Sequence, residues 1–128
     1  MGRMARLGWK GPHDDGFCPV YASIEVLQEK WSLHIIRRLL EGESAGFNEL
    51  RRLVGCNPAT LTERLERLEE LGIVSRTVHS VMPPKTSYAL TTAGRELREV
   101  IDSIAAWGRA HLDPVKGGKG TIRVRKTG

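Results

Sequence analysis

Arg64 and Arg67 are the side chains best suited to grip a polyanion. They stand three residues apart in TLTERLERLEELG, whose leucines recur at helical spacing. A guanidinium carries five donors in a planar fork that matches a phosphate or the edge of a guanine. At about 100° per residue, Thr60 shares their flank of the helix, and Thr62, Glu66 and Glu69 share the other. Glu63, Glu69 and Glu70 are close enough in sequence to pair with both arginines on a solvated face, so the spacing permits either use. Asn57, Thr60 and Thr62 stand at the helix start, where short polar groups and free N–H donors suit a phosphate or a base edge. Asn57 can cap the helix at the same time. Glu63 can accept from a cytosine amino group or pair with a neighbouring cation.

Other cations complete a candidate anion-binding set. Arg51 and Arg52 end the preceding short helix, and Arg76, His79 and Lys85 belong to a hairpin, with Lys85 at its tip. Cys18 lies just before a helix-starting Pro19, where a helix dipole favours a reactive thiolate. Burial as an inert core thiol is its alternative, and Cys56 reads as core. His13, His34, His79 and His111 are scattered without i, i+4 pairing, so no metal site or cofactor is expected. There is no phosphate-cradling glycine loop, nucleophile elbow or paired His/Cys signature, which argues against an enzyme.

These residues need a scaffold, and the punctuation supplies one. Pro19 opens a helix along Val20, Ile24, Leu27 and Trp31; a second lies near WSLHIIRRLLEG, and FNELRRLVG forms a short third. Asn57, Pro58 and Gly72 then bracket the Leu61, Leu65, Leu68 and Leu71 stripe as cap, first turn and left-handed stop. The period changes to strand-like in IVSRTVHSV and KTSYAL, joined at Met82-Pro83-Pro84. Thr91 or Thr92 caps a final helix through Leu112. The fold class is mainly α with a small β-hairpin, a helix-turn-helix carrying a wing. In the last helix Leu97, Val100, Ile101, Ile104 and Trp107 make a stripe wider than one seam, enough to cover the chain's own core on one edge and a second copy on the other. The expectation is a dimer through the terminal helices, with burial inside the monomer as the alternative.

Length and charge set the frame. The 128 residues suit a single domain, 40% hydrophobic and 27% charged, with enough chain for a core. The expected organisation is a flexible arm at 1–16, the winged domain at 17–112 and a loose basic tail at 113–128. The formal charge of +5 resides in the last fifteen residues, at Lys116, Lys119, Arg123, Arg125 and Lys126, leaving 1–113 neutral. Such a tail suits a polyanion or merely solubility. No apolar window reaches the ~20 residues of a membrane span, and MGRMARLGWKGPHDDG has no apolar stretch behind its early charges. Two cysteines fit a reducing cytoplasm. With 5% aromatic residues, Trp31, Phe47 and Trp107 read as core or interface, not as stacking platforms for single strands.

Taken in order, CPVYASIEVLQEKWSLHIIRRLLEG, FNELRRLVG, TLTERLERLEELGIVSRTV, PPKTSYALTTAGREL and AAWGRAH resemble the HxlR family of winged-helix transcription regulators, related to MarR. The likeness spans 18–112. It implies a homodimer on a pseudo-palindromic duplex operator, frequently answering to oxidants, quinones or aldehydes, and it implies DNA contact at Arg64 and sensing at Cys18. The sequence departs from the family pattern at Gly46, where an arginine is frequent, and at Ala59, which stands at or near the place of an early recognition-helix lysine. Two other functions remain open: a winged-helix protein-interaction module, which the acidic Glu63, Glu66, Glu69 and Glu70 suggest, and a regulator controlled by a small apolar ligand.

Overall fold

Cys18, Asn57 and Thr91 each end an extended stretch and begin a helix, because each presents a side-chain acceptor to an otherwise orphaned N–H three residues on. The computed structural model describes residues 16–114 and 122–126; the expected arm up to residue 15, with His13, and the tail residues Lys116 and Lys119 lie outside them. The chain forms α1 (Pro19–Leu27), α2 (Ser32–Leu40), β1 (Ala45–Gly46), α3 (Phe47–Val54) and α4 (Pro58–Glu70). It continues through β2 (Val74–Val81), β3 (Pro84–Leu90), α5 (Thr92–Arg95), α6 (Arg98–His111), β4 (Leu112–Pro114) and β5 (Ile122–Val124).

The core lies where three helices meet the hairpin base. Ile35, Ile36, Leu39, Leu50, Leu61, Leu65, Leu68 and Val74 are almost completely buried, each contributing roughly 1.5–3 kcal/mol of burial. Both cysteines are buried, Cys56 in this core. β2 pairs antiparallel with β3 from Val74↔Leu90 to Val81↔Pro84, with an irregularity between Val78 and Ser80. β1 adds a third strand on the other edge of β3 through Ala45↔Tyr88, a pairing two residues long that no periodicity announces. Gly55 and Gly72 end α3 and α4 at φ 90 and 80, the left-handed stop that a side chain disfavours.

Thr91 ties the base of the wing to α5. Its hydroxyl donates to the Gly72 carbonyl at 2.6 Å and its backbone N–H bonds the Ile73 carbonyl. Gly94 lies against Ile73 and Leu90 so closely that a Cβ there would collide with the Ile73 carbonyl. At the far end of the core, the Arg98 guanidinium donates to the Leu40 carbonyl at 2.8 Å and anchors α6 to the end of α2.

The chain departs from the sequence pattern in three places, at Trp31, in the last helix and in the tail, while the broad apolar stripe divides into an inward and an outward edge. Trp31 is not on α1: the helix stops at Leu27, and Trp31 turns left-handed at φ 79 to start α2. The single final helix is divided, with Leu97 N–H bonding Gly94 in a tighter i→i−3 turn between α5 and α6. Of the broad apolar stripe, Leu97 and Ile101 pack against the core, whereas Val100, Ile104 and Trp107 are 37%, 49% and 55% exposed. Finally, part of the expected loose tail is paired: β5 lies against β4, and Arg125 binds Asp113 at 2.8 Å while donating to the Ala110 carbonyl at 3.0 Å. The physical reason is the end of α6, whose last carbonyls need donors.

Candidate nucleic-acid interface

α4 presents its leucines inward and a polar surface outward. Asn57, Ala59, Thr62, Glu63 and Glu66 are exposed, and Thr60 is partly so. At the helix start the Asn57 side chain accepts from Thr60 N–H at 2.8 Å, and its carbonyl accepts from Leu61 N–H at 3.0 Å. Pro58 has no N–H, so the Ala59 amide is the donor of this first turn without a partner among the described residues. Small and polar groups around one outward-facing N–H leave room for a phosphate or a base edge at close range.

The two flanks of α4 have different uses. On the basic flank, Arg64 Nε donates to the Lys30 carbonyl at 2.8 Å, and its Nη1 lies 3.7 Å from Glu63. Arg67 Nε lies 3.7 Å from Glu29. On the acidic flank, Glu69 lies 3.6 Å from Arg76 of the wing. Three of the arginines read from sequence as DNA contacts therefore bind the protein itself. The Arg64–Glu63 pair is one that closeness in sequence permits; the Lys30 and Glu29 partners carry no sequence signal, because they stand more than thirty positions from Arg64 and Arg67. Arg51, Arg52 and Lys85 are exposed and form no ion pair among the described residues.

The wing carries its own contacts. His79 and Ser87 hydrogen-bond across the strands at 2.7 Å, and Val81 and Met82 at the tip are 80% and 87% exposed. Burial pushes the Tyr88 phenol above its ordinary pKa, with Arg76 opposing and Glu69 and Glu66 reinforcing the shift. It stays protonated at neutral pH. No group of three or more His, Cys, Asp or Glu side chains that could hold a metal occurs among the described residues, and no helix among them is long and apolar enough to cross a membrane.

A helix, a tight turn at Gly55–Asn57, a second helix and a paired hairpin are thus in place, with the second helix open on one face. The profile of the HxlR-like helix-turn-helix family matches residues 26–116. The chain belongs to the HxlR family. It is 36% identical over 96 residues to a helix-turn-helix-type transcriptional regulator of Synechocystis sp., covering 75% of this chain and 71% of that one. Among solved structures it is similar to the redox regulator HypR in its oxidised form, at 35% identity and TM-score 0.67, covering 75% of this chain and 99% of that one. It is also similar to the reduced form of the transcriptional regulator YodB from Bacillus subtilis, at 30% identity and TM-score 0.65, covering 80% of this chain and 99% of the other. YodB is also known in diamide-treated and quinone-bound forms. The winged fold expected from the punctuation is the fold of this HxlR member, a mainly helical chain with a small antiparallel sheet.

In this HxlR chain Cys18 is 5% exposed, and its Sγ accepts from Tyr21 N–H at 3.4 Å at the start of α1. Its neighbours are apolar and outward: Phe17, just before it, is 76% exposed, and Val20 and Ile24 on that helix are 43% and 53% exposed. With Val100, Ile104 and Trp107 of α6, they give the two terminal helices uncovered apolar faces.

Proposed function

We propose that the chain is a homodimeric, sequence-specific regulator of transcription, with α4 in the major groove of duplex DNA and the β2–β3 wing against the neighbouring backbone or minor groove. The observation that carries this reading is the open N-terminal face of α4, where Asn57, Ala59, Thr62 and Glu63 are exposed in a winged helix-turn-helix. The major groove admits one helix and displays a distinct donor and acceptor pattern for each base pair. Thr62 and Glu63 read base edges; Asn57, Thr60 and the Ala59 amide take phosphate or base-edge oxygens; Arg51, Arg52 and Lys85 supply phosphate contacts. The chain acts by binding in a reducing cytoplasm, without catalysis and without a cofactor.

The uncovered faces of α1 and α6 support the dimer. Val20 and Ile24 of α1 and Val100, Ile104 and Trp107 of α6 are exposed large apolar residues that an interaction surface would cover, and a two-fold pair matches a pseudo-palindromic operator. The placement of Cys18 at a helix start, together with the likeness to HypR and YodB, supports a response to oxidants or electrophiles. Because the thiol is buried, modification requires the start of α1 to open. Diamide treatment is expected to change the DNA affinity of the wild type and leave Cys18→Ser unaffected; unchanged wild-type affinity would sink the switch.

A gel shift with DNA from upstream of the gene, against excess non-specific competitor and at two salt concentrations, tests the main reading. A band that survives competitor and weakens steeply with salt is expected. A band abolished by competitor favours the second reading, a protein-docking module, which the exposed Glu63, Glu66 and Glu70 motivate. A cleft of about 380 Å³ between α2 and α6, lined by Leu33, His34, Arg37, Ile101, Ile104 and Ala105, favours the third, a small apolar ligand. That reading predicts ligand-dependent affinity even in Cys18→Ser.

A further inference from the structure

The junction between the α1–α2 connection and α2 concentrates conformational cost in two residues, Trp31 and Ser32. Trp31 adopts φ 79, a region that a bulky residue enters at about 1–3 kcal/mol. Ser32, next in line, is fully buried, and its hydroxyl has no partner among the described residues. Such cost persists only where surrounding contacts over-determine the geometry. Two such contacts reach the adjoining residues Glu29 and Lys30 from α4. Arg64 Nε holds the Lys30 carbonyl at 2.8 Å, and Arg67 lies 3.7 Å from Glu29. The Lys30 ammonium lies 5.5 Å from the Trp31 ring centre, and the Trp31 carbonyl receives Ile35 N–H at 2.9 Å to start α2. The Arg64 side chain is only 23% exposed, and a guanidinium donating to a carbonyl is a charge-assisted bond, stronger than a neutral one.

We propose that Arg64 is a positioning residue: it latches α4 to the α1–α2 connection, so that the helix starting at Cys18 and the helix that enters DNA move as one unit. The latch rests on the DNA-binding reading above for its consequence, but not for its geometry. It assigns the basic flank of α4 to the protein and leaves base reading to Thr62 and Glu63. A displacement of α1, whether by the partner copy or by chemistry at Cys18, then reaches the DNA face through Leu27, the Gln28–Trp31 turn and the Arg64 side chain. Arg67 and Glu29 reinforce it from one turn further along α4.

Lysine separates a latch from a phosphate contact, because it has carbon where arginine has Nε but keeps the charge. Arg64→Lys and Arg64→Ala are compared with wild type by DNA affinity at several salt concentrations and by amide and indole NMR signals of Lys30 and Trp31. In the wild type the Trp31 signals are expected to shift when operator DNA is added. Both variants are expected to lose that response and to bind operator roughly tenfold more weakly, a coupling effect of ordinary size. The slope of log affinity against log salt should remain unchanged. The proposal is overturned if Arg64→Lys binds like wild type, or if Arg64→Ala lowers the salt slope by about one, the signature of a lost phosphate contact. Should Arg64→Ala not fold, Arg64→Lys alone decides. Should the wild type show no specific DNA binding, the DNA reading fails, and unaltered Lys30 and Trp31 signals in the free variants would then remove the latch as well.

Discussion

Single side chains fix whether this fold closes. Gly94 is buried against the Ile73 carbonyl and Leu90, so Gly94→Ala forces either the wing base or α5 to shift. The expected cost is about 1–3 kcal/mol, read by urea or thermal unfolding; an unchanged midpoint would mean that the contact relaxes freely. At the candidate interface, Lys85 is exposed near the hairpin tip without an ion-pair partner among the described residues. Lys85→Ala should weaken DNA binding about equally for all sequences and lower the salt slope by about one, measured by fluorescence anisotropy. Loss of discrimination between sequences would instead make it a base reader. At this scale the sequence is informative about residue type and only partly about partner. The flanks of α4 are legible: Arg64 and Arg67 do face one way and Glu69 the other. Which groups they face is not, because burial and a bend at Trp31 bring Glu29 and Lys30 beside them.

Elements are legible where local chemistry dictates them. Asn57-Pro58 and Gly72 bracket α4 as their types require, and Met82-Pro83 turns the wing between β2 and β3. The elements that escape are those decided by tertiary contact. β1 exists because β3 has an edge to pair, and the α5–α6 turn reflects the approach of Gly94 to Ile73. β5 pairs back on β4, with Arg125 supplying donors to carbonyls at the end of α6. The Arg125 hydrogen bond holds the Asp113 carboxyl below its usual range, with the charges of Arg125 and Arg123 adding to it. A lowered folded pKa contributes stability that is complete above the unfolded value of ~3.9 and is lost as pH falls through the lower folded value. Amide protection in 111–113 and 122–125, measured relative to the intrinsic exchange rate, should therefore fall in strongly acidic buffer, and Arg125→Ala should lose protection already at neutral pH. Equal protection in the variant and wild type would show that strand pairing alone holds the ribbon.

At the scale of the whole molecule, the monomer leaves apolar surface on both terminal helices. The wide stripe of the last helix foretells two faces, and the structure divides them: Leu97 and Ile101 inward, Val100, Ile104 and Trp107 outward. On the proposed dimer, Ile104→Asp should abolish association and spare the fold, giving a monomer by sedimentation with native circular dichroism. A dimer that survives the substitution would place the interface elsewhere. In the proposed homodimer the two-fold pairing would set the spacing of the DNA sites, because two copies of α4 would enter successive major grooves on one side of the duplex. A chemical protection footprint on the upstream DNA tests that geometry most directly. Two protected half-sites related by a dyad are expected, centred about one helical turn (~10.5 base pairs) or a whole number of turns apart, with guanine N7 protected in the major groove. A single unrepeated patch, or uniform protection without a dyad, would contradict a two-fold regulator that reads DNA through α4.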